Sequence, residues 1–480
     1  MRTSLFALTL ATALSGCAVG PDYRRPQIAQ PAAFLGTPIV ARRAAVAEVV
    51  PASSQWWTGF GDPTLANLVD TALAQNLDIA QAFARVTQAR AALGAAGAAL
   101  LPSGAVSAQA ATAHQSVQTP IGRLASSSPG FERNGELYEG DLSAGWEIDL
   151  FGGLRRGEEA ARAEYEGSRA GVAAARLAVA AQTADTYIVI RGLQTRIDVA
   201  RAQVDTQSRL VKIVRLQYDK GVAAELQLRQ AEGALAQVES SLPVLETALD
   251  AAMNALDVLL GAQPGSNRAI LAATTAIPRA PAIADAGSPA DLLRRRPDLI
   301  IAENRLIASN ARIGVATAEY FPKFSLGGLL GTATTSAGGL LSGGATQAQG
   351  FLGLRWRLFD FGRIDAEIAS AKGANAEALA GYRLAVLRAS EDVENALSAL
   401  VKREAQEATL GRGETALTRA QSASLAAYKG GVVSLIEVLD ADRCLLDTRD
   451  ARAQAQTETA RAAVASFRAL GGGWDAKPPA

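Results

Sequence analysis

The sequence has little of the chemistry that a catalytic or metal-binding protein would use. Its 480 residues include one histidine, His114, two cysteines and two methionines, and no nucleophile is patterned around that histidine. Lys plus Arg and Asp plus Glu are balanced at 47 each, so the composition gives no electrostatic attraction to nucleic acid. We therefore expect no enzyme activity, no nucleic-acid binding, no cofactor and no clustered soft-metal site.

Aromatic residues and long apolar runs are also scarce. Aromatics make up 5% of the chain although 49% of its residues are hydrophobic, because alanine dominates the apolar total. Alanine is the best helix former and lets helix backbones approach closely, so the composition predicts long, closely packed helices. Beyond the N-terminal leader, no stretch offers the roughly 20 continuous apolar residues of a membrane helix. Cys444 lies in an apolar run and is expected to pack within a helix.

The N-terminus has the pattern of a signal peptide over residues 1–16. Arg2 precedes the apolar run Leu5–Leu14. Leu14-Ser15-Gly16-Cys17 looks like a lipobox, so Cys17 is predicted to carry an N-terminal lipid (palmitate), although an ordinary cysteine beside a signal peptide remains the alternative. Each buried acyl methylene would contribute about 0.8 kcal/mol to anchoring. Ala18, rather than an aspartate, follows the cysteine, which favours the outer membrane.

The mature sequence contains an internal duplication, in which three landmarks recur in the same order. They are Asn76–Ile79 with Arg296–Leu299 at an offset of 220 residues, Trp146–Gly153 with Trp356–Arg363 at 210, and Tyr218–Val222 with Tyr428–Val432 at 210. One ten-residue length difference, between Pro102 and Trp146, reconciles the two offsets. The predicted division is a signal peptide (1–16), a lipid-anchored N-terminal segment (17–61), repeat 1 (62–270), a linker (271–289), repeat 2 (290–470) and a C-terminal tail (471–480).

Each repeat is predicted to contain the same elements. A helix (62–100, and 291–319 in the shorter second copy) ends at a proline, and two strands with a polar loop follow it. A Phe-Gly corner begins a long helix (153–218 or 363–428), and a glycine-containing turn leads into another (224–261 or 434–470). About 66 residues at about 1.5 Å each give a rod on the order of 100 Å long. Such a helix needs lateral partners along its length, as in a coiled bundle.

The predicted strands alternate strictly between apolar and polar residues. The apolar sets are Leu142, Ala144, Trp146, Ile148 and Leu150 in repeat 1 and Leu352, Leu354, Trp356 and Leu358 in repeat 2. The opposite faces carry charges such as Glu147 and Arg355. This pattern is typical of a membrane β-barrel with a wet interior; a soluble sandwich also alternates, but here the charged face needs water. Four strands cannot close a barrel, so we expect oligomers: three chains would supply 12 strands, and two or four chains remain possible.

Taken in order, the motifs resemble the TolC-like outer-membrane factor family, in particular its NodT-like efflux lipoprotein branch. The matching segments are Gly16–Tyr23 with Pro26, Gln55–Trp57 with Phe60, Asp62-Pro63 and Leu65, Asn76–Ile79, Arg295–Leu299 with Ala302-Glu303, Ala311–Gly314, Phe321-Pro322 and the two Phe-Gly corners. The resemblance covers nearly the whole mature chain. It implies a membrane α+β fold in which a duplicated unit gives four β-strands and long helices per chain. A homotrimer would then form a 12-stranded β-barrel and a periplasmic 12-helix α-barrel.

The resemblance also implies a function, that of a passive exit duct in a tripartite efflux system. A periplasmic adaptor (membrane fusion) protein would dock at the helical tip and link it to an inner-membrane pump of the RND type. The N-terminal segment and the C-terminal end would form an equatorial collar. We expect a lipid-anchored protein in contact with outer-membrane lipid and extending into the periplasm. A type I secretion exit duct and a structural coiled-coil tether that spans the periplasm are the alternatives.

The turn between the last two helices of repeat 2 contains the predicted periplasmic gate. Glu437 and Asp440 are three residues apart and therefore share a helix face, whereas Leu435, Val438 and Leu439 lie largely on another face that is suited to packing. If that face points inward, three chains place a ring of acids around one constriction, which would attract cations. The resemblance implies the same two acids and an apolar gate residue at Ile436. A merely solvated helix face is the alternative, and repeat 1 has Gln227 and Gln230 at the acidic positions.

The two glycine-containing turns are the predicted adaptor contacts. Their residues are Gly221, Val222 and Ala223 in repeat 1 and Gly431, Val432 and Val433 in repeat 2. Glycine permits the tight reversal between two helices, so a plain helix reversal is an alternative that is compatible with adaptor contact.

Overall fold

The computed structural model describes residues 18–29, 31–38, 49–50, 55–283 and 288–472. The predicted signal peptide, Cys17 and residues 473–480 of the tail lie outside the described residues. The fold class is confirmed: a duplicated unit supplies four strands and long helices. In the described part of the chain, every helix is too short or too polar to cross a membrane.

The first helix of each repeat is broken in two. In repeat 1, α1 (Pro63–Gln75) and α2 (Leu77–Ala98) meet at Asn76, whose backbone is extended. The Asn76 side-chain oxygen accepts hydrogen bonds from the backbone N–H groups of Asp78 (2.8 Å) and Ile79 (3.2 Å), so it caps α2. The prediction of one continuous helix over 62–100 is therefore wrong at this residue.

Repeat 2 has the same break, between α6 (Pro289–Arg295) and α7 (Pro297–Ala318), so the helix predicted over 291–319 is also interrupted. Arg296 at the junction is extended, as expected of a residue that precedes proline. Its guanidinium donates to the carboxylate of Asp392 at 3.0 Å, which ties the junction to the long helix of its own repeat.

The two long helices are continuous. They are α3 (Gly153–Asp219) and α8 (Arg363–Lys429), each of 67 residues, which confirms the lengths predicted from the sequence. The next helix of repeat 2, α9 (Leu435–Ala469), is also unbroken. The equivalent helix of repeat 1 divides at Ser240 into α4 (Glu225–Glu239) and α5 (Ser241–Leu259), so the prediction of one helix over 224–261 is wrong. The break follows from Pro243, which has no N–H to donate to the Glu239 carbonyl.

Four strands form one antiparallel sheet in the order β1-β2-β3-β4. They are β1 (Ser103–His114), β2 (Asn134–Ile148), β3 (Lys323–Thr334) and β4 (Thr346–Arg355). The predicted alternation is correct within the strands, because Leu142 and Leu352 are exposed on one side whereas Asp141 is buried and accepts a hydrogen bond from Gln347 at 2.7 Å. The predicted alternation extends too far in both repeats, because the strand of repeat 1 ends before Leu150 and the strand of repeat 2 ends before Trp356.

The described chain divides into two compact units, each assembled from several segments. The first unit contains the sheet and comprises the described residues within 1–26, 87–167 and 303–381. The second comprises the described residues within 27–86, 168–302 and 382–480. In the first, small residues on α3 (Ala160, Ala163) pack against small residues on α7 (Ala308, Ala311). In the second, the buried Trp56 ring stacks on Phe467 at 5.3 Å, so the segment before α1 packs against the end of α9.

The second unit also contains a close approach between α3 and α9. Arg461 forms a two-pronged ion pair with Asp185 (2.8 and 3.2 Å), and Arg196 forms another with Asp450 (2.6 and 3.2 Å). Two parallel N–H···O bonds fix both the distance and the angle of each pair. The two helices are thereby held along several turns.

Candidate functional site: the paired helical turns

The first turn joins α3 to α4. Gly221 adopts a left-handed conformation with φ +72°, which a side chain would disfavour. The backbone N–H groups of Val222 and Ala223 both donate to the Gln217 carbonyl, at 2.8 and 3.2 Å. These bonds satisfy a helix carbonyl that would otherwise lack a partner. The chain reverses tightly and leaves the Val222 side chain 77% exposed.

The second turn, between α8 and α9, has the same geometry. Gly431 also has φ +72°, and the Val432 N–H donates to the Ala427 carbonyl at 2.9 Å. Val432 is 79% exposed, as its counterpart is in repeat 1. The six predicted contact residues therefore occur in two structurally equivalent turns, and each turn presents one apolar side chain outward. Whether an adaptor contacts them remains a prediction.

One apolar cluster lies beneath both turns and joins the two repeats. It comprises the buried Leu210, Val214, Leu228, Ala231, Leu435 and Val438, with the partly buried Ala223, Tyr428 and Leu439 packed against it. The Tyr428 hydroxyl donates to the Gln217 side-chain oxygen at 2.7 Å, and burial raises the pKa of this tyrosine. The packing role predicted for Leu435, Val438 and Leu439 is confirmed.

The predicted gate residues lie on the exposed side of α9. Ile436, Glu437 and Asp440 are all exposed, whereas Leu435 and Val438 of the same helix are buried. The Asp440 carboxylate accepts a hydrogen bond from Arg443 at 2.6 Å, and both side chains of this pair are more than half exposed. An exposed pair of this kind contributes little stability, so Asp440 is available for another role.

Glu437 has a structural role that the sequence analysis missed. Its carboxylate accepts a hydrogen bond from the backbone N–H of Ser434 at 2.7 Å, which caps the start of α9. Gln227 does the same at the start of α4, where its side-chain oxygen accepts from the Ala224 N–H at 3.1 Å. The Ser434…Glu437 spacing is a capping-box signature and could have revealed this role. Capping and a gate function are compatible, because the capping carboxylate belongs to an exposed side chain.

A second missed residue is Asp442, which is 2% exposed and lies on α9 close to the apolar cluster. Gln207 donates a long hydrogen bond of 3.4 Å to its carboxylate. Burial raises the pKa of Asp442, and a hydrogen bond from Gln421 opposes that shift. The equivalent residue of repeat 1, Glu232, is paired with arginines instead. The sequence shows only that Asp442 is an acidic residue on a helix. Because such residues are usually exposed to solvent, nothing in the sequence indicated that this one is buried.

The remaining candidates from the sequence are dispersed. His114 is exposed at the end of β1, and its ring lies 2.6 Å from the Asn134 side-chain oxygen across the hairpin. Cys444 is half-buried in α9. In the part of the chain that the structure describes, His, Cys, Asp and Glu side chains form no group of three that could hold a metal ion.

The chain matches the outer membrane efflux protein family over residues 68–262 and 289–472. It is 32% identical over 448 residues to the pyoverdine export outer membrane protein OpmQ of Pseudomonas putida, with 91% of each chain covered. It is 30% identical over 473 residues to nodulation protein T of Rhizobium leguminosarum bv. viciae, with 98% of this chain and 94% of the relative covered.

Solved structures agree with the sequence comparison. The outer-membrane channel OprN is 34% identical and superimposes with a TM-score of 0.85, covering 95% of this chain and all of that one. The outer membrane channel MtrE of Neisseria gonorrhoeae is 25% identical, with a TM-score of 0.79. With its duplicated unit, its four-stranded sheet and its paired helical turns, the chain belongs to the outer membrane efflux protein family and is an outer-membrane efflux channel.

Proposed function

We propose that this chain is one subunit of a homotrimeric exit duct, which receives substrates from a periplasmic adaptor and an inner-membrane pump of the RND type. The observation that carries the proposal is the four-stranded sheet. One of its faces exposes apolar side chains such as Leu142 and Leu352, and the other holds polar groups such as Asp141 and Gln347. The first face suits lipid and the second suits a water-filled passage.

Accumulation of an efflux dye in cells tests the proposal. Deleting the chain should raise intracellular dye, and restoring it should return the dye to the starting level. A structural tether predicts altered envelope spacing with unchanged dye accumulation. A type I secretion duct predicts loss of a secreted protein from the medium instead. Either of these last two results would contradict the efflux proposal.

Within this duct, Ile436, Glu437 and Asp440 are proposed to form the periplasmic gate. Their support is their shared exposed position on α9, directly beside the turn. Three subunits would place three copies of each acid around one axis, and a ring of carboxylates attracts cations. Asp440 is the better probe of the ring, because Glu437 also caps its helix.

Single-channel recording in planar bilayers tests the gate with a matched control. Asp440→Asn should raise conductance and reduce the preference for cations. Glu225→Gln is the control, because Glu225, like Asp440, is an exposed acid near the start of a helix that follows a tip turn, and it is likewise paired with an arginine of its own helix. Equal effects of the two variants would show a general surface-charge effect and contradict the gate.

The two turns are proposed as the adaptor contacts, with Val222 and Val432 as the apolar side chains that the adaptor covers. Replacing both with serine should weaken adaptor crosslinking in cells and leave the folded helical content unchanged. Leu226→Ser is the control, because Leu226 is an exposed residue of α4 beyond the turn. Undiminished crosslinking in the double valine variant would contradict this contact.

Lipidation of Cys17 is proposed from the lipobox, since this residue lies outside the described part of the chain. Cells fed radiolabelled palmitate should label the wild-type protein, and Cys17→Ser should abolish the label. Labelling of the serine variant would contradict the assignment.

A further inference from the structure

Phe351 is the one aromatic residue on the polar face of the described four-stranded sheet. Successive side chains of a strand point to opposite faces, so Phe351 shares its face with Gln347, which donates a hydrogen bond to Asp141 at 2.7 Å. The other aromatic residues of the four strands fall on the opposite, apolar face: Tyr138, Trp146 and Phe324. Contact with lipid would explain those three residues, but it does not explain an aromatic ring among polar side chains.

The Phe351 ring extends across the neighbouring strand. Its partner in the register of β3 and β4 is Gly327, which is buried. A β-carbon added at Gly327 would lie 2.2 Å from Cζ of the ring and 2.7 and 2.8 Å from its two Cε atoms, so the distal edge of the ring occupies the space above this glycine. The absence of a side chain at Gly327 thus lets the ring lie against the sheet, while Phe351 as a whole remains 52% exposed.

Small residues surround the ring on the same face. Gly145 of β2 lies opposite Gly327, and Ser325 of β3 lies opposite Gly353 of β4. A β-carbon added at Gly145 would meet no atom within 4 Å, so the space above β2 is open at this level of the sheet. The exposed part of the ring therefore borders open space on the face that the proposed function assigns to the passage.

An acidic residue occupies the equivalent position in the other repeat. The repeat offset of 210 residues relates Phe351 to Asp141, so the same position of the last strand is aromatic in one hairpin and charged in the other. Asp141 lies at the level of Gly331 and Gln347, four residues along the strand from Phe351, which corresponds to about 13 Å. The polar face thus carries a ring and a carboxylate at two separate levels.

The charges on this face favour a cation beside the ring. Within the four described strands, the face carries three carboxylates, those of Glu139, Asp141 and Glu147, and two bases, Lys323 and Arg355. The Lys323 ammonium is paired with the carboxylate of Glu319. The face of an aromatic ring is itself electronegative, so it attracts cations and repels anions.

We propose that Phe351 is a contact site for planar aromatic cations that pass through the duct. The exposed part of the ring stacks on the aromatic part of such a molecule, and the ring quadrupole favours its positive charge. The carboxylates of the same face raise the local concentration of cations. The inference rests on the proposed function, in which this face lines the passage, and adds a class of substrate and a residue that contacts it.

Block of the channel current in planar bilayers tests the contact, with ethidium as the probe. Added to the chamber that the sheet faces, ethidium should block at lower concentrations than tetraethylammonium, which has the same charge and no aromatic ring. Phe351→Leu keeps an apolar side chain and removes the ring, so it should weaken the ethidium block about two- to fivefold, as expected for an exposed cation–π contact. Phe351→Tyr should retain the block. Leu352→Ala is the control, because Leu352 is the next residue and lies on the opposite face.

A second variant moves the ring without changing it. Gly327→Ala places a β-carbon where the ring edge lies, so the ring must shift and the ethidium block should weaken. Gly145→Ala is the matched control, because Gly145 lies at the same level of the same face and its added β-carbon meets nothing within 4 Å. An ethidium block that is equal in the wild type, Phe351→Leu and Gly327→Ala would overturn the contact site.

Two further results would overturn the proposal, and neither requires a variant that folds. One is a wild-type channel that ethidium blocks no more tightly than tetraethylammonium does. The other is an equally tight block by anilinonaphthalene sulfonate, an aromatic anion, which would contradict the preference for cations. In both cases the channel current itself leaves the proposed duct standing, whereas the absence of any channel current in the wild type would overturn the proposed function.

Discussion

Gly192 of α3 faces Thr457 of α9, and substitution at this glycine should separate the two helices. A β-carbon added at Gly192 would overlap the Thr457 hydroxyl and lie 2.8 Å from Cγ2 and 3.0 Å from Cβ of that residue. Thr457 cannot swing aside easily, because it is β-branched, buried and bonded through its hydroxyl to the Ala453 carbonyl at 2.8 Å. The backbones of the two helices must therefore move apart.

Two opposing effects determine the magnitude for Gly192→Ala. Overpacking of a well-filled interior costs about 1–3 kcal/mol, and replacing glycine by alanine within a helix returns about 1 kcal/mol. We expect a net loss of about 0–2 kcal/mol of unfolding free energy. Two ion pairs flank this contact and resist separation of the helices: Arg461 with Asp185, and Arg196 with Asp450. We therefore expect a loss near the upper end of this range.

A double-mutant cycle isolates the contact. Thermal or denaturant unfolding of the detergent-solubilised protein, followed by circular dichroism, would compare Gly192→Ala, Thr457→Ala and the double variant. Removing the threonine branch should restore stability, with a coupling free energy of about 1–3 kcal/mol. Gly171→Ala is the matched control, because its added β-carbon meets nothing within 4 Å and should stabilise α3. Equal stability of the two glycine variants, or zero coupling, would refute the proposed close packing.

Three further substitutions have effects whose sign the structure determines. Asp442→Asn should stabilise the protein at neutral pH, because burial raises the pKa of the Asp442 carboxyl in the folded protein. The free energy of unfolding of the wild type therefore falls as the pH rises from about 3.9, the pKa of an unfolded aspartate, through the raised value. This fall should vanish in the variant. An unchanged pH profile of unfolding would contradict this. Tyr428→Phe removes the hydrogen bond to Gln217 and should cost about 0.5–1.5 kcal/mol by the same unfolding assay, whereas a neutral result would show that the bond is not formed. Asn76→Ala removes the cap of α2 and the hydrogen bond to the Leu259 carbonyl at 2.9 Å, so the free energy of unfolding should fall by at least about 1 kcal/mol. Asn76→Asp is the control, because an aspartate can still cap α2.

The repeat was readable from the sequence because its landmarks are local. The Phe-Gly corners and the Gly-Val turns each require a special backbone conformation, which Gly152, Gly362, Gly221 and Gly431 adopt with positive φ. The strands were readable because their alternation has a period of two residues. These features depend on neighbouring residues, so the sequence predicted the order and type of the elements.

Helix breaks were less readable. Asn76 interrupts a helical pattern because its side chain can cap the next helix and bond across to Leu259. The break at Ser240 follows from Pro243, three residues later. In both cases the sequence contained a local residue that indicates a helix break. The apolar periodicity continues through each break, however, and therefore favoured the prediction of one continuous helix.

At the candidate gate, the sequence by itself determined which residues of α9 share a helix face. The sequence predicted that Glu437 and Asp440 share one face of α9 and that Leu435 and Val438 share another, because helix geometry relates residues three and four apart. Only the tertiary structure decided which face is buried, since that depends on Leu210, Val214 and Leu228 from the first repeat.

The same distinction separates residues that look identical in the sequence. Asp442 and Asp440 are both acids on α9, yet Asp442 is buried beside Gln207 whereas Asp440 is exposed. Phe151 and Phe361 occupy equivalent Phe-Gly corners, yet Phe151 stacks within its chain and Phe361 is exposed. Burial depends on residues more than 100 positions away in the sequence, so the sequence alone determined the repeated elements, and tertiary packing decided how each copy is used.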